Sequence, residues 1–266
     1  MMALLRSDAY RVARSHWAWF VVALVAFLTF APVLLMRWTH LGPVAFDRLT
    51  GSALSLGGVE SLVSIMMALV VCDRADLGFG RTLLSSLSHR ARITWHVEKC
   101  VFAVLLAGAT LLLALVFGLV ALPLSGVPVL NPEPAWQVAA WLGCEWLVCC
   151  VYAVLTVLVG HLTRSEVVTV GFAVLAPTGI IEGGLLVGID ALWALAGGSF
   201  LEVAAVVAPW LPSQVVGAIA EGAATLLSAD NAVGVAPAVR ALVVCLPLTV
   251  AAGAADALIA SRRDVA

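Results

Sequence analysis

Between Cys100 and Leu122 the chain runs without a single charged side chain. A helix rising 1.5 Å per residue needs about 20 apolar residues to cross roughly 30 Å of hydrocarbon, so a run of this length reads as a transmembrane helix. Five more runs carry at most one charge each: Trp17–Met36, Gly51–Cys72 with Glu60, Ala135–Gly160 with Glu145, Val167–Ile189 with Glu182, and Ala241–Ala260 with Asp256. Together the six take up half of the 266 residues, which leaves no soluble domain of ordinary size. Composition agrees, with 63% hydrophobic and 11% charged residues and a mean hydropathy of +1.10, against roughly 45–50% and 25% in globular chains. The expectation is an all-α membrane protein in which residues 1–266 form one transmembrane domain of six spans. Trp17–Met36 lacks a small-residue cleavage signature and other spans follow it, so it reads as a retained span rather than a removable signal.

Charge bias sets the expected orientation. With six spans, segments 1–16, 73–99, 161–166 and 261–266 share one side and hold all but Arg37, Arg48 and Arg240 of the 14 basic residues. The positive-inside rule then places both termini in the cytoplasm of a plasma-membrane protein. A seventh apolar run, Ala191 to Pro209, would put Arg262 and Arg263 outside if it crossed. Residues 190–237 are therefore expected to form an external excursion of re-entrant or interfacial helices, interrupted at Pro209-Trp210-Leu211-Pro212.

Two segments on the basic side are amphipathic. Leu4, Leu5, Ala9, Val12, Ala13 and Trp17 recur at helical spacing opposite Arg6, Arg11 and Arg14, which predicts an N-terminal helix lying in the inner interface. Leu83, Leu84, Leu87, Ala91 and Trp95 repeat the pattern against Arg90 and Arg92. A helix of this kind cannot span; it lies on lipid or docks on a partner.

Several chemistries are excluded. A net charge of −2 without blocks of like charge offers nothing to nucleic acid. Lys99 is the only lysine and sits in Glu98-Lys99-Cys100, so the chain has no P-loop and no ATPase of its own. His96-Val97-Glu98 lacks the second histidine of a zinc protease helix, and Ser199 and His161 are assigned to opposite sides. The six cysteines show no C-x-x-C pairing and read as buried hydrophobes. No catalytic residue, cofactor or metal is expected in this chain. What remains is a set of buried acids. Glu60 and Glu145 are expected near the bilayer centre, where an ionised carboxylate costs on the order of 3 kcal/mol, and Glu182 lies in a stretch weakened by Pro177, Gly179, Gly183 and Gly184. These three either line a path for a cationic or amphipathic solute or serve as protonated, hydrogen-bonded packing. Asp256 is expected to snorkel or pair with Arg262 or Arg263.

The segment after the second run, Gly78-Phe79-Gly80-Arg81-Thr82-Leu83-Leu84-Ser85-Ser86-Leu87-Ser88-His89-Arg90 with Lys99 opening the next span, resembles a pattern G-T-I/L-R-x-L-L-x-x-P-x-x-R. That pattern is found in membrane-spanning permeases of the type-2 ABC exporter superfamily. Gly78, Arg81, Leu83, Leu84, Arg90 and Lys99 match it; Phe79 replaces its threonine, Leu87 its proline, and Arg74 an acid, with Asp73 and Asp76 alongside. The resemblance implies that Arg81, Leu83, Leu84, Leu87, Arg90 and Arg92 form a cytoplasmic coupling helix that docks on a separate ATP-binding subunit, which holds the ATP and Mg. It also implies a second permease copy, identical or related. ATP-driven closure of the partner would push on the coupling helix and move the spans from inward-open to outward-open. The implied cargo is an amphipathic or hydrophobic solute such as a drug, a peptide antibiotic or a lipid. The rival reading is a non-transporting immunity or sensor protein that binds an antimicrobial peptide through its external excursion.

Overall fold

A computed structural model describes residues 2–39, 45–54, 56–72, 89–195, 200–231 and 233–262. The chain is 79% helical, and the described residues add only two isolated bridges, Phe46 with Val129 and Thr50 with Leu54. In chain order the helices are α1 (Met2–Arg14), α2 (His16–Thr39), α3 (Val59–Val71), α4 (His89–Ser125), α5 (Ala135–Thr163), α6 (Glu166–Leu175), α7 (Ile180–Leu195), α8 (Leu201–Val207), α9 (Pro212–Ala220) and α10 (Pro237–Arg262). Four of them (α2, α4, α5 and α10) are long and apolar enough to cross a membrane, or up to six crossings if each of two bent pairs counts as one.

α5 is the axis of the bundle, with α10, α3 and α4 packed around it. Val148, Cys149, Val151, Val154 and Val157 of α5 are buried against Val63 and Met67 of α3 and Cys245 of α10. Two large aromatics on α5 carry polar tips that must find partners in an apolar interior. Trp141 Nε1 donates to the Ile219 carbonyl at 2.9 Å, and Tyr152 Oη donates to Glu182. By contrast α2 and α7 leave most of their large apolar side chains exposed, as helices facing lipid do. α1 is amphipathic and packs on α4 and α2, in keeping with the expected N-terminal interfacial helix.

Three expectations need correction. The run 51–72 is not helical throughout: the helix begins only at Val59, 13 residues and about 20 Å long, because Gly51 and Gly58 adopt φ of 77° and 91° that break a helix before it. The run 167–189 is two helices meeting at 88°. Pro177 cannot continue the ladder of α6, and Gly179 turns the chain at φ 76° where a Cβ would meet Ser213 at 3.0 Å. Finally, Arg90 and Arg92 stand at the start of α4, a continuous helix of 37 residues, about 55 Å long, and not on a separate interfacial helix. The rest of the coupling segment, including Arg81, Leu83, Leu84 and Leu87, lies outside the described residues. In the expected excursion the break does fall at the prolines: α8 runs into a short 3-10 turn at 208–210, and α9 leaves it at 62° with Pro212 as its first residue. Val215 and Ile219 bring α9 back into the core.

The end of the bundle where α5 begins is closed by a polar latch. Backbone bonds tie Phe46 and Asp47 to Pro128, Leu130 and Asn131. Glu133 accepts from Thr50 Oγ1 and from the Leu49 and Thr50 amides, and the same Thr50 Oγ1 accepts from the Ala223 amide at 2.7 Å. Gly51 and Gly222 permit this closure, since a Cβ on either would lie within 2.8 Å of the opposing backbone. Burial alone would raise the Glu133 carboxyl, but the bonds from Thr50 and the backbone outweigh it and hold the group below its ordinary value. A depressed folded value stabilises above the unfolded value of about 4.3 and is lost as pH falls through the folded one. Glu133→Gln should therefore flatten the acid limb of a melting-temperature profile taken downwards from neutral pH; an unchanged limb would mean that the latch does not titrate.

Candidate functional site

At the opposite end of the bundle, where α4 begins and α5 and α10 finish, polar residues converge from four helices. His96 and Cys100 are four residues apart and so share one face of α4. His161 stands in the last turn of α5, and Asp256 on α10. Asp256 is 0% exposed, and both its oxygens are engaged: Oδ1 lies 2.8 Å from His161 Nδ1 and Oδ2 lies 3.1 Å from His96 Nδ1. Cys100 Sγ is 3.8 Å from the same Oδ2. The two imidazoles stand edge to face, 4.3 Å between centroids, and Trp95 packs on both. An ionised Asp256 accepts an N–H from each ring, which joins α4, α5 and α10 through one carboxylate.

Beside this cluster Lys99, 1% exposed, forms a buried ion pair with Asp8 of α1, and its ammonium lies 5.3 Å from the centre of the Trp95 ring. Arg11 joins Asp8 at 3.6 Å. The interfacial helix is thus fastened to α4 by charge as well as by the packing of Leu5 and Val12. The expectation for Asp256 is overturned: histidines from two other helices hold it, one helix turn and more before Arg262. A histidine pair assembled across helices leaves no spacing signature on either strand of sequence, and the only local hint is the His96-x-x-x-Cys100 step.

The three acids expected on a path are placed as follows. Glu60 is in the first turn of α3, and its Oε1 accepts from the Gly58 amide at 3.2 Å. Glu60 and Glu145 are 6% and 5% exposed, on the packed helices α3 and α5. Glu182 does not join them. It accepts from Tyr152 Oη on α5 and from the Ser213 amide and hydroxyl on α9, so it pins the bent α6–α7 pair to the core. Glu60 and Glu145 are enclosed by protein, whereas Glu182 is half-buried. For Glu60 this arrangement resembles packing: glutamine retains a donor and an acceptor at similar volume, so Glu60→Gln should preserve the melting temperature, whereas leucine should cost on the order of 1 kcal/mol. Selective loss of cationic substrates in Glu60→Gln, with neutral ones retained, would instead put Glu60 on the path.

No model of a known protein family matches the chain, and no curated relative matches it.

Proposed function

We propose that this chain is the membrane-spanning subunit of an ATP-driven exporter, inserted in the plasma membrane with both termini cytoplasmic, working with a separate ATP-binding subunit and a second permease copy. The observation that carries the reading is the Gly78–Arg90 pattern placed between an apolar helix and the 37-residue α4. α4 supports it mechanically. At about 55 Å it is longer than hydrocarbon is thick, so a force applied at its first turns reaches the Lys99–Asp8 pair and the Asp256 cluster as a rigid-body motion. α1, α5 and α10 are fixed to α4 at those two points, so all four move together. The cargo class, amphipathic or hydrophobic, follows from the resemblance.

The direct test is detergent extraction of the tagged chain under native expression. An exporter subunit brings an ATP-binding protein with it, and hydrolysis by that complex should respond to cargo. Purification without any ATPase would favour the immunity or sensor reading. Orientation is checked separately by single-cysteine tags at residues 130 and 225, expected to label from outside, and at 264, expected to label only after permeabilisation. Labelling of 264 in intact cells would sink the six-span arrangement.

A further inference from the structure

His96, His161 and Asp256 bring two imidazoles and a carboxylate to within 4.8 Å of one another from three helices, and Cys100 Sγ lies 3.8 Å from the Asp256 oxygen that faces His96. We propose that these four side chains form a transition-metal site, with Zn2+ the ion that fits best. The donor set carries the choice: nitrogen, sulfur and oxygen ligands in a group of four suit tetrahedral zinc, whereas calcium and magnesium take oxygen alone. Geometry agrees. Bonds of about 2.0–2.3 Å at tetrahedral angles separate neighbouring ligand atoms by about 3.2–3.8 Å. Asp256 Oδ1 lies 2.8 Å from His161, its Oδ2 lies 3.1 Å from His96 and 3.8 Å from Cys100, and donor atoms of His96, His161 and Asp256 all fall within 4.8 Å of one another. A retreat of the two rings by a few tenths of an ångström admits the ion.

Charge favours the same ion. One carboxylate and one thiolate neutralise a divalent cation, and a neutral site is the cheap one to bury. On binding, the Cys100 thiol gives its proton to solvent, and each neutral imidazole gives up its Nδ1 proton, whose place the metal takes, and gains one on Nε2, a change of tautomer exchanged through solvent. The ammonium nearby does not oppose this, because Lys99 is paired with Asp8. A packing role for Asp256 needs only the two imidazoles; it leaves unexplained why a thiol on the same helical face as His96 is turned to the same oxygen. Entry is open on one side, since Cys100 lines a groove of about 440 Å³ between α4 and α10, and the His96 side chain keeps 12% exposure.

The consequence is a removable staple across α4, α5 and α10, independent of whether the chain exports anything. The experiment uses the full chain in detergent, stripped with a chelator and titrated with Co2+ as a spectroscopic probe for Zn2+. One equivalent per chain should bind, with the visible bands of tetrahedral cobalt and a thiolate-to-cobalt charge-transfer band, and Zn2+ should displace it. Cys100→Ser, a nearly isosteric change, should remove the charge-transfer band, and His96→Gln at the exposed edge should weaken binding by about tenfold or more. Zn2+ should raise the melting temperature of the parent chain and of Cys144→Ser, but not of Cys100→Ser or His96→Gln; these melting curves also report whether each variant is folded. No saturable binding to the parent chain, or an unchanged cobalt spectrum and thermal shift in both Cys100→Ser and His96→Gln, would overturn the site.

Discussion

Replacing Lys99 with methionine should lower the stability of the folded chain by about 3 kcal/mol or more, the largest single loss expected here. The side chain is 1% exposed and its ammonium is held by Asp8, itself 6% exposed. Removing one member of a buried ion pair typically costs about 3–5 kcal/mol, and the part-exposed Arg11 at 3.6 Å is left as a weaker partner of the buried Asp8, which puts the loss at the low end of that range. The loss is not the worth of the pair. Taking two charges out of water costs several kcal/mol each before they attract one another, so removing both should be far milder than removing either. The double variant Asp8→Leu with Lys99→Met should therefore recover most of the stability lost by Lys99→Met alone. A cycle of the two single variants and the double, followed by thermal or denaturant unfolding in detergent, measures the coupling directly. If Lys99→Met stays within about 0.5 kcal/mol of the parent chain, as surface substitutions do, Lys99 does not hold α1 to the bundle.

Lys99 also shows what could be read in advance and what could not. Hydropathy located α2, α4, α5 and α10, because 20 or more apolar residues in series have no other economical fate. The same measure failed at 51–72 and 167–189, where apolar content is high but glycine and proline end the helix; run length reports transfer into lipid and says nothing of backbone continuity. The amphipathic period predicted α1, and Pro209-Trp210-Leu211-Pro212 predicted the break before α9. Partners across helices were beyond reach. Asp256 reads as a residue near a span end with arginines close by in sequence, yet it meets His96 and His161, 160 and 95 positions away. Glu60 and Glu145 were expected near the bilayer centre, and the fold puts them on two helices packed together, α3 and α5. It encloses both in protein, however, and keeps Glu182 apart on its own set of hydrogen bonds.

On the proposed exporter reading, the segment 81–92 gives the largest functional effect. Arg81→Glu reverses a charge on the cationic face of the amphipathic repeat, and Leu84→Glu puts a charge on its apolar face. A helix docked in an apolar groove of an ATP-binding subunit tolerates neither, since the first meets like charge where it needs opposite charge and the second must desolvate a carboxylate with nothing to pair it. Either variant should abolish transport and release the ATPase, or leave it bound and hydrolysing without response to cargo. Membrane insertion and melting temperature of the isolated chain should stay near those of the parent, because the polar contacts of α4 at His96 and Lys99 lie 12 and 15 residues beyond Leu84 in the sequence and hold the bundle without it. A helix that merely lies on anionic lipid behaves differently: Arg81→Glu weakens it and Leu84→Glu lifts that turn from the interface, but partner binding and transport persist. Full partner recovery and full transport in both variants would therefore remove docking as the role of this segment and leave lipid as its only partner.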